Sequence, residues 1–258
     1  MPRLAANLSM MFNEHGFLDR FEAAAKAGFT GVEYLFPYDF KASDIKTRLA
    51  DHGLTQVLFN APPGDWNAGE RGTASLAGRQ SEFRDGIKKA LEYATALNCK
   101  QLHCMAGIPK TGNPVMEAAI YATNIAYAAE QAHAAGVKIL LEPINQRDMP
   151  GFHLATQEQG AAIVEAIGRD KVGLQFDVYH CQIAQGDLIK RMEALMPVIA
   201  HMQIADVPAR NEPGTGEIGW KNVFAAIDRL GFKGWVGCEY RPAGETVAGL
   251  GWRAEFGV

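Results

Sequence analysis

Short runs of β-type residues alternate with amphipathic helical patterns from one end of this chain to the other. The runs predict strands at Leu4–Ser9, Val32–Phe36, Thr55–Asn60, Lys100–Met105, Lys138–Glu142, Val172–Asp177, Ile199–Ile204 and Trp235–Glu239. Between them, apolar residues recur at helical spacing over Phe17–Ala27, Gln80–Leu97, Met116–Ala135, Gln157–Ile167 and Val223–Leu230. Glycine follows four of these patterns, at Gly28, Gly136, Gly168 and Gly231, where a left-handed helix end is expected. Ser43 before Ile45, and Thr156 with Gln159 three residues on, read as helix N-caps.

Strict strand–helix alternation calls for parallel strands. The 258 residues hold eight units of about 32 residues with no linker or composition break, which predicts a single domain over 1–258. Eight units at this length suit a closed (β/α)₈ TIM barrel, an α/β fold of typically ~250 residues. The rival is an open, doubly wound sheet, but the first strand–helix turn reads NLSMMFNEHG and lacks the GxGxxG fingerprint. No P-loop or GxSxG elbow occurs elsewhere. Hydrophobic residues at 48% and charged residues at 21% support a sizeable core and exclude a disordered chain. The net charge of −4, with no Lys/Arg run longer than two, argues against nucleic acid as a partner. Four cysteines without CxxC spacing read as reduced, buried thiols. With no signal-like N-terminus and no apolar run near ~18 residues, a cytoplasmic protein without a membrane partner is expected.

In a barrel, the residues that do chemistry stand where strands end and the following loops begin. The predicted strand ends carry Asn7, Glu33, Asn60, His103, Glu142, Asp177, Gln203 and Glu239. A carboxylate closing an apolar run such as KILLE or WVGCE is partly buried, and its ionised form is costly unless paired or bound to a cation. Glu142, Asp177, Gln203 and Glu239 come from four successive strands and converge on one side of the mouth. Three carboxylates and an amide oxygen form a hard, all-oxygen set that suits Mg²⁺ or Mn²⁺ better than zinc.

The segments KILLEPINQRDMPGFHL, QFDVYHCQ, HMQIADVPARNEPGTGEIGW and GWVGCEYRP resemble the hydroxypyruvate isomerase family, within the xylose-isomerase-like sugar isomerases and epimerases. RLAANLSMMFNE, VEYLFPYDF and NAPPGDWNAGERG are similar as well, so the resemblance spans nearly the whole chain. It implies a divalent ion held by Glu142, Asp177, Gln203 and Glu239, with Glu142 and Glu239 also acting as proton donor and acceptor on opposite faces of the substrate. Gln203 stands where related epimerases have a histidine. The implied reaction interconverts hydroxypyruvate and tartronate semialdehyde through an enediolate.

Such a substrate, a small keto or hydroxy acid, needs a cation for its own carboxylate, and Arg210 and Arg71 are the candidates. His180, three residues past Asp177, is placed to bond a substrate hydroxyl or to polarise the carbonyl. His103 either faces the mouth or is a satisfied core histidine, Glu33 and Asn7 are candidate supporting partners, and the loop around Trp66 is long enough for a lid. His15, His52, His133 and His201 read as helical, surface or packing positions. The same metal set admits a 2-oxo-tetronate isomerase or a ketose 3-epimerase. A metal-dependent phosphodiester hydrolase on the same barrel needs a histidine-rich cluster of metals and a basic face, and a non-catalytic sugar-binding module is a further class. Apolar helix faces allow a homo-oligomer.

Overall fold

The computed structural model describes residues 2–258. Its strands are β1 (Arg3–Asn7), β2 (Gly31–Glu33), β3 (Thr55–Asn60), β4 (Gln101–His103), β5 (Lys138–Leu141), β6 (Val172–Asp177), β7 (Ile199–Ile204) and β8 (Trp235–Cys238). Each pairs in parallel with the next, and β8 closes on β1, giving the expected (β/α)₈ barrel. β1, β2 and β4 end two or three residues before the apolar runs do. The extra residues, Leu8, Cys104 and Met105 among them, are buried beneath loops, so burial rather than strand pairing accounts for their character.

The outer ring comprises α1 (Arg20–Lys26), α2 (Ala42–Asp51), α3 (Gln80–Ala96), α4 (Pro114–Ala134), α5 (Gln157–Ile167), α6 (Val178–Ala184), α7 (Leu188–Leu195), α8 (Trp220–Arg229) and α9 (Trp252–Phe256). α6, α7 and α9, of seven, eight and five residues, are not among the helical patterns above, although α7 does repeat an apolar face through Leu188, Met192 and Leu195. Thr156 and Gln159 form a complete capping box on α5. Ser43 does not cap α2: the backbone N–H groups of Asp44 and Ile45 bond the Lys41 carbonyl, so the helix begins before Ser43. The Ser43 hydroxyl instead meets the Asp44 carboxylate at 3.1 Å.

Two features of the barrel interior position the site. At the lower end, Ala5, Val57, Leu58 and Leu140 form a small apolar plug. Above it the lining is polar, and strands that are not neighbours touch across the axis, as where His201 of β7 meets Glu33 of β2. Gly237 on β8 makes room for this crossing, since a Cβ there would lie 2.3 Å from both Glu33 carboxylate oxygens. The register sets the upper layer: Asn7 lies level with Glu33, Asn60 with His103, and Asp177 with Gln203. Glu142 and Glu239 follow the last residues of β5 and β8 directly.

Candidate active site

Asp177 ends β6 and caps α6: its Oδ1 accepts from the backbone N–H of Tyr179 at 2.7 Å and of His180 at 3.4 Å. Helix initiation therefore turns Oδ2 the other way, where it is buried with no hydrogen-bond partner. Glu142 Oε1 is in the same condition. Glu239 has a partner at each oxygen, the Arg210 guanidinium at 2.5 Å and the Asn7 amide at 3.2 Å. Arg210 also lies 3.6 Å from Asp177 Oδ2, and its guanidinium stacks 4.8 Å over the Tyr179 ring.

Burial raises the pKa of all three carboxyl groups. The nearby charges of Glu239 and Asp177 push Glu142 up further, whereas Arg210 works in the opposite direction on each. Ionised together, three carboxylates against one guanidinium would carry two net negative charges, which a divalent cation would cancel. Glu142, Asp177 and His180 each offer an atom within 4.8 Å of the others, a buried group whose spacing suits a metal ion. The orphaned oxygens of Glu142 and Asp177 are the donors that such an ion requires.

The other two residues implied as ligands are engaged elsewhere in part. The Arg210 bond draws on Glu239 Oε2. Gln203 donates to Glu33 at 2.8 Å and accepts from Gln175 at 2.6 Å, which leaves one lone pair on its amide oxygen. Glu33 is the hub beneath the cluster and accepts from Asn7, His201 and Gln203 at 2.8–3.0 Å. Asn7 bridges Glu33 to Glu239 through its amide N–H groups, at 3.0 and 3.2 Å. His201 belongs to this network, fully buried inside the barrel, rather than to a helix or the surface. Its strand and the 168 residues that separate it from Glu33 leave no local mark of the pairing.

His103 faces the mouth, with Nδ1 3.3 Å from the Asn60 amide oxygen and 3.5 Å from Glu142 Oε2. Burial holds its pKa down to about 3. Burial and the Arg210 charge also depress His180, whose Nε2 lies 3.8 Å from both Glu142 and Asp177. Asn145, in the turn after β5, bonds His180 Nδ1 at 2.6 Å.

Arg71 does not join the cluster. Its guanidinium donates to the carbonyls of Trp66 and Glu70 and stacks 3.9 Å over the Trp66 ring, stiffening its own loop. A cavity of about 550 Å³, lined by Arg71, Arg79 and Lys110 among others, lies between this loop and the one after β4. The loop base is pinned to its neighbour, with the N–H of Ser75 on the Ala106 carbonyl at 2.9 Å, while residues 67–69 are exposed. Asp206, which no motif above singles out, organises the loop that carries Arg210. Its carboxylate accepts from the backbone N–H of Val207, Gly214, Gly216 and Ile218 and from the Trp220 indole. The PGTG run is the sequence signal that such an anchor leaves.

Residues 21–256 match the family described as xylose isomerase-like TIM barrel. The chain is 53% identical to a protein named 2-oxo-tetronate isomerase from Cupriavidus necator, over 98% of this chain and 97% of the relative. It is 46% identical to the protein named hydroxypyruvate isomerase from Escherichia coli, over 98% of each. Among solved structures it resembles one described as an AP endonuclease, family 2, from Brucella melitensis, with TM-score 0.96, 49% identity and 99% coverage of both chains. The chain belongs to the xylose isomerase-like TIM barrel family and, within it, to the group that holds the hydroxypyruvate and 2-oxo-tetronate isomerases.

Proposed function

We propose that this protein is a divalent-cation-assisted isomerase of short hydroxylated 2-oxo acids, which interconverts hydroxypyruvate and tartronate semialdehyde. The observation that carries the reading is the buried cluster of Glu142, Asp177 and Glu239, with two orphaned oxygens and a single guanidinium. Glu142 and Asp177, completed by Gln203 and Glu239, would hold Mg²⁺ or Mn²⁺. When bound, that ion supplies Lewis-acid stabilisation of negative charge on the substrate oxygens.

Arg210 binds the substrate carboxylate, and its charge favours the ionised form of Glu239 against the burial that raises its pKa. Glu239 takes a proton from carbon 3, and the negative charge spreads over the enediolate. Glu142 returns a proton to carbon 2 on the opposite face, and the hydroxyl proton on oxygen 3 passes to oxygen 2. Carbon 3 and its oxygen each lose one proton, and carbon 2 and its oxygen each gain one, so the reaction is an isomerisation. The two carboxyl groups then re-equilibrate with solvent. Proton transfer of this kind contributes roughly 10²–10⁴-fold to a rate.

The 53% identity to a protein named 2-oxo-tetronate isomerase favours a second reading, the same proton shift on a four-carbon acid. The name of the solved relative raises abasic-site hydrolysis. Against that reading stand the net charge of −4 and the single candidate metal-binding group among the described residues, with one histidine in it. One experiment separates the readings: the protein is incubated with Mg²⁺ in D₂O with hydroxypyruvate or 2-oxo-tetronate, and in parallel with abasic DNA. Deuterium at carbon 3 of either acid, abolished by chelator, is expected, and the ratio of kcat/KM names the preferred acid. No exchange into either acid overturns the isomerase reading, and nicking of the DNA replaces it with hydrolysis.

A further inference from the structure

We infer that Asn145 is a positioning residue that fixes His180 in its Nε2–H tautomer, so that the imidazole serves the substrate as a hydrogen-bond donor and not the cation as a ligand. This rests on the isomerase reading only for what His180 donates to; the tautomer follows from geometry alone. Asn145 is wholly buried in the turn after β5. Its Nδ2 lies 2.6 Å from His180 Nδ1, and its backbone N lies 3.4 Å from the same ring nitrogen. Both of these groups are donors, so Nδ1 must accept and carries no proton.

The orientation of the Asn145 amide decides the matter, and its surroundings define it. Its Oδ1 accepts from the backbone N–H of Asp148 at 2.9 Å, and its Nδ2 lies 3.4 Å from Asp148 Oδ2. A flipped amide would lose the backbone bond and set its oxygen against a carboxylate. Asp148 is fixed in turn, because the Tyr179 hydroxyl donates to it at 2.7 Å and Arg147 donates to that hydroxyl at 3.0 Å. Asn145, Arg147 and Asp148 from the β5 turn, with Tyr179 from the first turn of α6, thus act on one ring nitrogen.

With Nδ1 aprotic, the single proton of a neutral imidazole sits on Nε2. That atom is 3.8 Å from Glu142 Oε1 and 3.8 Å from Asp177 Oδ2, beyond a hydrogen bond to either. The Nε2–H is therefore left free to donate to an oxygen of the substrate. A protonated Nε2 offers no lone pair, so although His180 is close enough to the two carboxylates to ligate, the ion is left to oxygen donors. In the isomerase reading the Nε2–H is the donor to the oxygen on which charge develops in the enediolate, where a fixed donor acts most strongly in the transition state.

The test uses protein labelled with ¹⁵N-histidine and long-range ¹H–¹⁵N correlation spectra, with His180 assigned by its loss in His180→Gln. The expected wild-type signature is a pyridine-type Nδ1 and a pyrrole-type Nε2, both without cation and with saturating Mg²⁺. Asn145→Asp replaces the donor with an acceptor and inverts the signature. With it kcat falls by roughly 10²-fold while KM shifts only a few-fold. Where the added carboxylate beside Asp148 prevents folding, Asn145→Ala carries the kinetic test and lowers kcat in the same direction. A wild-type ring with the proton on Nδ1 overturns the inference, as does an inverted or unanchored ring with kcat unchanged. Wild-type protein that shows the Nε2–H signature but turns over no 2-oxo acid refutes the functional reading and leaves the tautomer assignment standing.

Discussion

At the barrel mouth the position of one guanidinium separates three otherwise similar carboxylates. Glu239 has Arg210 at 2.5 Å, Asp177 shares it at 3.6 Å and also accepts two backbone N–H bonds, and Glu142 has one oxygen with no hydrogen-bond partner. Neutralising Glu142 or Glu239 removes a proton carrier and at the same time relieves like-charge repulsion. Glu142→Gln and Glu239→Gln are therefore expected to lower kcat by roughly 10²–10⁴-fold, and the Tm of the cation-free protein holds or rises in Glu142→Gln, whereas Glu239→Gln also gives up the ion pair with Arg210. Steady-state kinetics beside calorimetry measures both, and a Tm that falls with activity in Glu142→Gln would make that residue structural. Arg210→Met leaves the cluster without its cation, and breaking a buried pair costs about 3–5 kcal/mol, to be read from urea unfolding. Gly237→Ala tests the packing beneath. Its methyl group meets the Glu33 carboxylate, and an overpacking cost of about 1–3 kcal/mol is expected, with activity reduced through displaced Gln203 and Asn7.

Among the elements, the loops at the mouth depend on anchors that lie outside the chemistry. The loop after β3 is tied by Glu70, which accepts from Arg79 at 2.7 Å and from the Asp65 backbone, and these bonds hold its pKa down to about 2. Because the folded value lies below the ordinary 4.5, the bond stabilises the protein above pH 4.5, and that contribution is lost as pH falls toward 2. Glu70→Gln is expected to lower Tm at neutral pH by an amount that closes over this range. The side chain is 27% exposed, so the effect stays within about 1 kcal/mol. A gap that stays constant with pH would assign the effect to packing. At the start of α5, Thr156→Ala removes half of the capping box and is expected to cost about 1 kcal/mol in urea unfolding without changing kcat.

For the molecule as a whole, a cation that binds only the folded barrel adds stability by mass action, about 2.7 kcal/mol at a hundred times its Kd. Mg²⁺ or Mn²⁺ is expected to raise Tm in the wild type and to lose that effect in Asp177→Asn, with chelator restoring the lower value. Much of the molecule is legible in local signals. The strand–helix alternation is written in stretches of ten to thirty residues, and each mouth carboxylate ends an apolar run, so Glu142, Asp177 and Glu239 stand out one strand at a time. Pairings across the barrel leave no such trace. Glu33 and His201 stand 168 positions apart, Asn7 and Glu239 232, and nothing near either partner marks the bond. For the same reason the two candidate arginines read alike, although the loop that Asp206 ties places Arg210 on the carboxylates while Trp66 keeps Arg71 in its own loop. Periodicity and burial are local properties, so the order of residues alone specifies the barrel and which strand ends carry oxygen donors. Closure of the barrel is what settles which oxygens remain unpaired, which cation meets them and which way the His180 ring is held, because each depends on atoms that folding brings together from distant parts of the chain.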